Sequence, residues 1–463
     1  MAETVTDVLV VGGGPAGMMA GMTAARFWPG KRVLVVRPEE DAVIPCGIPY
    51  IFGTLGGTDE DLAGRAPLLS AGGQIHTGVV VSVDRGSRRA RLQDGGEISW
   101  NRLILATGAE NFIPPIEGTR LEGVFSIRKE YEYLDRLFST VIPSIRKLAI
   151  IGGGFIGVEF ADEIRKRGIE VHLVEMQPHL MQAAFDRDAS IAVEQRLRQR
   201  GIQVHVGVRV EALQPGPDPA RVGRVVLSGQ SPLEVDGVLI AIGVRPRVDL
   251  ARDMGLTLSR SGGIWVDAFQ RSLEDPQIFA VGDCAHKQDF FTRRANHALI
   301  ASQAAAEGRI AGMNLYSLRQ SKYNAGTVSI YASQIDGLAF GVAGMTQAQA
   351  EQEGFPILVG EARMPDHHPA ALPGTVEVYC RTIFAAGSLQ LLGGQVLGGA
   401  TTGELVNTIG LAIQMHATAP DLAGMQFGSQ PRLTPSLHPL VAATTDALHR
   451  HFCQESATRP QED

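Results

Sequence analysis

Two glycine-rich turns, each between an apolar strand and a helix, constrain the fold of this chain more than any other feature. The sequence GGGPAG at residues 12–17 follows a strand at 7–11 and opens a helix that continues to Phe27. The sequence GGGFIG at residues 152–157 follows a strand at 147–151 in the same way. A strand, a glycine turn, a helix and a further strand form the mononucleotide-binding unit of doubly wound α/β folds. The chain therefore predicts two separate dinucleotide-binding units.

The length of 463 residues allows about three domains at roughly 150 residues each. The composition changes after about Leu318, where strands near Thr327 and Thr375 alternate with helical stretches. We expect an α/β fold with two Rossmann-like dinucleotide-binding domains, followed by a third, α+β domain.

The glycines of the first turn have distinct roles. Gly12 permits the tight bend, Gly14 allows a close approach of the backbone to a ligand, and Gly17 lets the helix pack on its strand. The sequence predicts that the helix begins at Gly17, after Pro15 and Ala16, and its N-terminus presents free N–H groups and the positive end of a dipole to a pyrophosphate. A glycine turn without a ligand is the alternative.

The end of the strand after the first turn departs from the fingerprint. An acidic residue that binds the ribose is expected there, but Arg37 occupies the position. Either Glu39 or Glu40 takes that role, or Arg37 faces the adenosine moiety.

The second turn follows the fingerprint more closely, because Glu175 ends its strand about 20 residues beyond the glycines. A carboxylate at this position accepts from both ribose hydroxyls and repels a 2′-phosphate, which predicts NADH over NADPH. The nearby Arg187 and the arginines of 196–200 leave NADPH as an alternative. The turn glycines have the same roles as before: Gly152, Gly154 and Gly157.

Cys46 stands in IPCGIPY at residues 44–50, where Pro49 is suited to the start of a helix. A thiol at a helix N-terminus has a lowered pKa and becomes a nucleophilic thiolate, and beside a flavin it can exchange two electrons. A buried, inert cysteine is the alternative. No CxxC pair occurs, so we expect neither a disulfide framework nor a zinc site, and a reduced, cytoplasmic protein.

Two further residues are candidates for the site. Asp283 ends an apolar strand, where a carboxylate can bind a ribityl hydroxyl of a flavin, although a turn-forming Asp is the alternative. His438 lies between prolines in a Pro-rich segment and is either a packing residue or a proton donor to a leaving thiolate. We interpret the adjacent His367 and His368 as loop residues and expect no metal.

The net charge of −7, without a long basic run, argues against nucleic-acid binding and against an anionic membrane surface. The absence of about 18 uninterrupted apolar residues predicts no membrane span.

Together these motifs resemble the pyridine nucleotide-disulfide oxidoreductase superfamily. The resemblance covers the two glycine turns, the sequence ATG at 106–108, AIGVRP at 241–246 and VGD at 281–283. It implies FAD at the first turn, NADH at the second and a homodimer formed by the C-terminal domain. It also implies cofactor-binding roles for several residues of these motifs: Ala106, Thr107, Gly108, Ile156, Gly243 and Gly282.

The single Cys46 is similar to the branch that contains coenzyme A-disulfide reductases, NADH oxidases and persulfide reductases. By that resemblance Cys46 cycles between a thiolate and an oxidised sulfur. Phe155 would gate the flavin, Glu159 would border the nicotinamide, and Val80 would meet the adenine through its backbone.

The resemblance also implies the domain boundaries. The FAD-binding domain would comprise residues 1–120 and 245–320, and the NAD(H)-binding domain residues 121–244. A dimerisation domain would follow at 321–455, with a disordered tail at 456–463.

The implied function is the NADH-dependent reduction of a small disulfide, persulfide or polysulfide through Cys46. An NADH oxidase that reduces oxygen through a cysteine sulfenate is one alternative, although Pro15 stands where many such oxidases have a histidine. A flavin-containing redox sensor or electron carrier for a protein partner is another.

Overall fold

The structure, a computed structural model, describes residues 4–319 and 323–458, with side chains described as far as Cys453. The last helix ends at Thr458, and residues 459–463 of the expected tail lie outside the described residues.

Strands and helices alternate along most of the chain. The strands are β1 (Thr4–Val5), β2 (Val8–Val11), β3 (Val33–Arg37), β4 (Gln74–Thr77), β5 (Val80–Asp84), β6 (Arg89–Leu92), β7 (Glu97–Ser99), β8 (Arg102–Leu105), β9 (Ala109–Asn111), β10 (Val124–Ser126), β11 (Lys147–Ile151), β12 (Glu170–Glu175), β13 (Gln203–Val206), β14 (Val210–Pro215), β15 (Val222–Leu227), β16 (Leu233–Glu234), β17 (Gly237–Ile240), β18 (Val244–Pro246), β19 (Ile278–Ala280), β20 (Ile330–Ile335), β21 (Leu338–Gly344), β22 (Ile357–Pro365), β23 (Glu377–Ala385) and β24 (Leu391–Gly398). The α-helices are α1 (Pro15–Phe27), α2 (Ile48–Ile51), α3 (Ala66–Ser70), α4 (Tyr131–Arg136), α5 (Phe155–Arg165), α6 (Arg187–Gln199), α7 (Asp249–Asp253), α8 (Ala301–Met313), α9 (Gln347–Gln352), α10 (Thr402–Gln414), α11 (Ala419–Ala423) and α12 (Pro439–Thr458).

The chain divides into two compact units, of which the first comprises Met1–Arg146, Leu213–Arg224 and Val235–Thr327. Its central sheet is parallel, with the strand order β19-β8-β2-β3-β4. Every residue of β2 is buried, as in a parallel sheet that is covered on both faces. The predicted strand, glycine turn and helix are confirmed here, and α1 ends at Phe27 as expected.

Helices α1 and α8 approach each other closely in this unit because their contact is made of small residues. A Cβ at Gly308 would lie 2.5 Å from the carbonyl oxygen of Ala16, so only glycine fits. The indole of Trp28 donates to the carbonyl of Gly312 at 2.9 Å. The N-terminus of α1 is thereby held beside the turn that follows β19.

The second unit comprises Lys147–Ala212, Val225–Glu234 and Val328–Asp463. Strands β11, β12 and β13 are parallel neighbours that repeat the first unit's pattern. The C-terminal part is an antiparallel sheet with the order β20-β21-β24-β23-β22, against which α10 and α12 pack. The predicted α/β class with an α+β C-terminal part is confirmed.

Polar side chains join the two parts of this second unit. The Asp186 carboxylate, before α6, accepts from the side-chain amide of Gln395 at 2.5 Å. Arg381 pairs with Asp188 and Glu361, in each case at 2.6 Å. Because Arg381 and Asp186 are mostly buried, these contacts hold β23 and β24 against the start of α6.

Candidate functional site

The first glycine turn has the shape that a dinucleotide requires. Gly12 has φ +115°, and a Cβ there would lie 2.1 Å from the carbonyl oxygen of Ala106. A Cβ at Gly17 would lie 2.0 Å from the carbonyl oxygen of Gly12, whereas Gly14 faces open space. Gly14 precedes α1 without a side-chain cap, and Pro15 begins the helix. The free N–H groups of the first helical turn and the open space over Gly14 fit the pyrophosphate of FAD.

Arg37 lies against this turn. It is only 2% exposed, and a Cβ at Gly13 would meet its Cδ at 2.6 Å. Its Nη2 donates to the carbonyl of Glu40, whereas Nε and Nη1 are buried and have no hydrogen-bond partner. Burial lowers the pKa of Arg37. Two unpaired donors beside the turn fit the acceptor oxygens of an adenosine ribose, since buried polar groups are normally hydrogen-bonded.

The two acidic alternatives to Arg37 have other partners. The Glu39 carboxylate accepts from the backbone N–H of Tyr131 at 2.9 Å. Glu40 pairs with Arg65 at 3.0 Å on the surface. The geometry therefore favours Arg37, among the three candidates, as the residue that faces the nucleotide.

Asp283 does not end the strand as expected: β19 ends at Ala280, and Asp283 lies in a short 3-10 turn, Gly282–Cys284, that follows Val281. Gly282 has φ +72°, and a Cβ there would lie 2.7 Å from Cβ of Ala16 in α1. The Asp283 carboxylate is 3.6 Å from Nζ of Lys129. The fold thus brings the predicted ribityl ligand to the N-terminus of α1, on the same side as the glycine turn.

Some of the other residues predicted to bind a cofactor contact the first glycine turn, and others lie further from it. Ala106 is in contact with Gly12 and Gly17, and the Thr107 hydroxyl donates to the carbonyl of Arg247 at 2.6 Å. Two predicted glycines have positive φ, with open space where a Cβ would lie: Gly108 and Gly243. Val80 is buried at the start of β5, within a core shared with β2 and β3.

Cys46 is exposed, two residues before α2. The helix begins at Ile48 with Pro49 in its first turn, as the sequence predicts, but it has only four residues. A helix of one turn has a small dipole, so the local charges around the thiol matter more than the helix does. Burial raises the pKa of Cys284 and raises the pKa of Cys380 to about 12, so neither is a thiolate at neutral pH.

Asp61 is a residue that sequence reasoning missed, and it lies directly beneath the cysteine loop. A Cβ at Gly47, the neighbour of Cys46, would lie 1.8 Å from Oδ1 of Asp61, so the carboxyl occupies the space of a side chain. Asp61 is 3% exposed, and its Oδ2 has no hydrogen-bond partner. Burial raises its pKa from 3.8 to about 6. No local pattern marks Asp61, because its burial depends on residues 42–44 pairing with 61–63.

The second glycine turn repeats the geometry of the first. Gly152 has φ +112°, a Cβ at Gly157 would lie 1.9 Å from the carbonyl of Gly152, and Gly154 faces open space. The Glu175 carboxylate accepts from the N–H groups of Gly153 at 2.6 Å and Gln177 at 2.7 Å. These bonds hold the carboxylate at the end of β12, where the ribose of a nicotinamide cofactor would lie.

Helix α5 carries the residues predicted at the nicotinamide. Phe155 stacks on Tyr331 of β20, with ring centroids 4.7 Å apart and planes at 16°. Ile156, next to it, is exposed. The Glu159 carboxylate accepts from the hydroxyl of Ser333 at 2.6 Å, and burial raises the pKa of Glu159 to about 7. Tyr331 and Ser333 were missed because β20 is far from α5 in sequence.

His438 lies immediately before α12. Its Nδ1 accepts from the backbone N–H of Leu440 at 3.3 Å, and its ring packs on Phe427 at 5.5 Å. Burial lowers the pKa of His438, so the imidazole is neutral at neutral pH.

His367 pairs with Asp366 at 2.5 Å. Within the described residues, no group of three or more His, Cys, Asp or Glu side chains is arranged to hold a metal ion.

Comparisons with known proteins agree with this geometry. The family model for pyridine nucleotide-disulphide oxidoreductases matches residues 6–306, and the model for the family's dimerisation domain matches residues 335–441. In the part of the chain that the structure describes, no helix is long and apolar enough to cross a membrane.

The relatives include an NADH oxidase from Methanocaldococcus jannaschii, 30% identical over 451 residues, with 96% of this chain and 98% of the relative covered. An NAD(P)H coenzyme A polysulfide/persulfide reductase from Pyrococcus horikoshii is 26% identical, with 94% of this chain and 96% of the relative covered. Among solved structures, an NAD-dependent persulfide reductase from A. fulgidus has a TM-score of 0.88 and 26% identity, with 96% of this chain and 84% of that chain covered. The chain therefore belongs to the pyridine nucleotide-disulphide oxidoreductase family, whose members are flavoenzymes that use FAD and NAD(P)H.

Proposed function

We propose that this protein reduces a small disulfide, persulfide or polysulfide with electrons from NADH, through the single redox-active Cys46. One observation carries the proposal: Cys46 is exposed in the first unit, whereas Cys284 and Cys380 are buried and the other exposed thiol, Cys453, lies in α12 of the second unit. The names of the Pyrococcus horikoshii and A. fulgidus relatives, a polysulfide/persulfide reductase and a persulfide reductase, support a sulfur acceptor.

The overall reaction is balanced as one NADH, one proton and one disulfide giving NAD⁺ and two thiols. When bound, FAD supplies the two-electron relay between the nicotinamide and the sulfur. The Cys46 thiolate would attack the S–S bond and release one thiol, leaving a mixed disulfide on Cys46. The single electron pair from NADH would then cleave this mixed disulfide, restore the Cys46 thiolate and release the second thiol. Each leaving thiolate takes up one proton, one from the hydride of NADH and one from solvent.

We assign FAD to residues 1–120 and 245–320 and NAD(H) to residues 121–244. The residues that would hold FAD are the first glycine turn, Arg37 and Asp283, whose positions fit the pyrophosphate, the ribose and the ribityl chain. An acidic residue usually accepts from the ribose hydroxyls at this position, whereas Arg37 would donate to the ribose oxygens.

We propose NADH rather than NADPH as the electron donor. The support is Glu175, whose carboxylate is held by two backbone N–H groups at the end of β12. A fixed negative charge at this position repels a 2′-phosphate. The ratio of kcat/KM for NADH to that for NADPH measures this preference directly.

We propose a homodimer with C2 symmetry, built by the dimerisation domain at residues 321–455, and a reducing compartment such as the cytoplasm. In such a dimer the segment around His438 would be available to a partner's flavin site. His438 would then donate a proton to the leaving thiolate from its imidazolium form, which its lowered pKa restricts to acidic pH.

Turnover of the purified holoenzyme with NADH and three acceptors tests the proposal: coenzyme A disulfide, polysulfide and oxygen. We expect sulfur-dependent NADH consumption that is lost in Cys46→Ser and kept in the matched control Cys453→Ser, since Cys453 is the other exposed cysteine. Unchanged disulfide and polysulfide reduction by Cys46→Ser would refute the mechanism.

The name of the Methanocaldococcus jannaschii relative favours NADH oxidase as a second candidate function. In that case oxygen would be consumed faster than either sulfur acceptor at equal concentration. Failure with all three acceptors, together with reduction of a protein partner, would instead support a redox carrier.

A further inference from the structure

Lys287 and Glu307 form an ion pair inside the first unit that the proposed reaction does not use. Lys287 is 3% exposed and Glu307 is fully buried, and Nζ lies 2.9 Å from Oε2. Lys287 follows the turn after β19, and Glu307 lies in the middle of α8. A buried pair contributes little net stability compared with apolar residues of the same volume, so its presence calls for another explanation.

The pair holds both backbone polar groups of Gly282. Nζ of Lys287 donates to the carbonyl of Gly282 at 2.5 Å and to that of Ala285 at 3.1 Å. Oε2 of Glu307 accepts from the N–H of Gly282 at 2.8 Å. Oε1 of Glu307 accepts from the side-chain amide of Gln303 at 3.3 Å. The pair therefore fixes the peptide groups on either side of the residue that precedes Asp283.

A change in the backbone torsions of Gly282 would reorient Asp283. The φ of +72° at Gly282 is one that glycine adopts without strain, so the glycine alone does not resist other conformations. A Cβ at Gly282 would lie 2.7 Å from Cβ of Ala16 and 3.5 Å from Cβ of Ala304. The turn is thus wedged between α1 and α8, and a rotation at Gly282 would move the Asp283 carboxylate relative to the N-terminus of α1.

We infer that Lys287 and Glu307 are positioning residues for the flavin, because together they hold Gly282 so that the Asp283 carboxylate points into the ribityl site. This inference rests on the proposed function only in that Asp283 is the proposed ribityl ligand. It requires no particular acceptor and no role for Cys46.

The affinity for FAD is the property to measure, because it does not depend on turnover. The flavin is released from the holoenzyme, and FAD is titrated back by the quenching of its fluorescence. We expect Glu307→Gln and Lys287→Met each to raise the Kd for FAD about tenfold or more. A displaced Asp283 carboxylate would lose its hydrogen bond to the ribityl chain, and the loss of one hydrogen bond to a charged group weakens binding by about that factor. The double variant leaves no unpaired buried charge but also lacks the Lys287 donor to the Gly282 carbonyl, so it should bind FAD no more tightly than Glu307→Gln.

A cycle with Asp283→Asn separates positioning from general stability. In the native background Asp283→Asn should weaken FAD binding about tenfold, whereas in the Glu307→Gln background it should add about twofold at most, because the carboxylate is already displaced. Additive effects of the two substitutions would overturn the inference. Arg381→Met is the matched control, since it breaks a mostly buried ion pair in the second unit and should lower stability without changing the Kd for FAD.

A milder variant keeps the test decisive if the charge variants do not fold. Gln303→Leu removes the amide that bonds Oε1 of Glu307 at 3.3 Å and, at 3.5 Å, Oδ1 of Asn324, and it should raise the Kd for FAD about twofold to threefold. An unchanged Kd in Gln303→Leu, together with loss of folding in both charge variants, would assign the pair to stability alone and overturn the inference. Loss of sulfur reduction with normal FAD binding would instead contradict the proposed function and leave this inference standing.

Discussion

Replacing Asp61 by asparagine should make the stability of the protein less dependent on pH. The carboxyl lies beneath Gly47 with Oδ2 unpaired, and burial raises its pKa from 3.8 to about 6. Asparagine has nearly the same shape but cannot ionise. The substitution therefore removes the cost of a buried charge and leaves the packing beneath the Cys46 loop in place.

The size and the sign follow from proton linkage. Below pH 3.8 the carboxyl is protonated in both the folded and the unfolded chain, and it contributes no pH dependence. Between pH 3.8 and about 6 the unfolded chain loses its proton first, so the free energy of unfolding falls as the pH rises. Above pH 6 both forms are ionised, and the folded state has lost about 2 to 3 kcal/mol, at about 1.4 kcal/mol for each unit of pKa difference.

Urea unfolding of the holoenzyme at fixed protein concentration, from pH 4 to pH 8, measures this effect. The difference in unfolding free energy, Asp61→Asn minus native, should rise by about 2 to 3 kcal/mol between pH 4 and pH 7 and then remain constant. The matched control is Glu60→Gln, which replaces the exposed carboxyl next to Asp61 in the sequence and leaves the buried one in place. A difference that is the same at pH 4 and pH 8 would refute the argument that Asp61 is a buried, unpaired acid.

Three further predictions concern the two nucleotide sites. Gly17→Ala should abolish FAD retention on gel filtration, because its Cβ would lie 2.0 Å from a backbone oxygen, whereas Gly64→Ala, with open space at that position, should keep FAD. Ser333→Ala should raise the pKa of Glu159 above about 7, since the lost hydrogen bond stabilises the charged form, and the pH dependence of KM for NADH should move about one unit higher. Glu175→Gln should narrow the preference for NADH over NADPH about tenfold in kcat/KM, and an unchanged preference would contradict the role given to its charge.

Some features of the site are local and could be predicted from the sequence. Gly17 is required by its contact with Gly12 in the same strand-turn-helix unit, and Gly12 has a positive φ in the turn itself, so their spacing is sufficient to recognise the unit. The same holds for the second turn and for Glu175 at the end of its strand. The role of Cys46 stays a prediction from its local sequence, and the helix that follows it has only four residues.

Other features depend on segments that are far apart in sequence. The sequence leaves Arg37 as one of three candidates, and only the fold shows that Glu39 accepts from the N–H of Tyr131 and that Glu40 pairs with Arg65. The unpaired nitrogens of Arg37 can be recognised only from the packed structure, since a missing partner leaves no mark on the sequence.

The sequence by itself determined the strand-turn-helix units, and with them the class of cofactor, because glycine spacing and strand hydrophobicity act over a few residues. The tertiary structure decided the electrostatics: the buried acid below Cys46, the serine that holds Glu159 and the ion pair behind Asp283. Burial and hydrogen bonding set these properties, and both arise only when distant parts of the chain pack together.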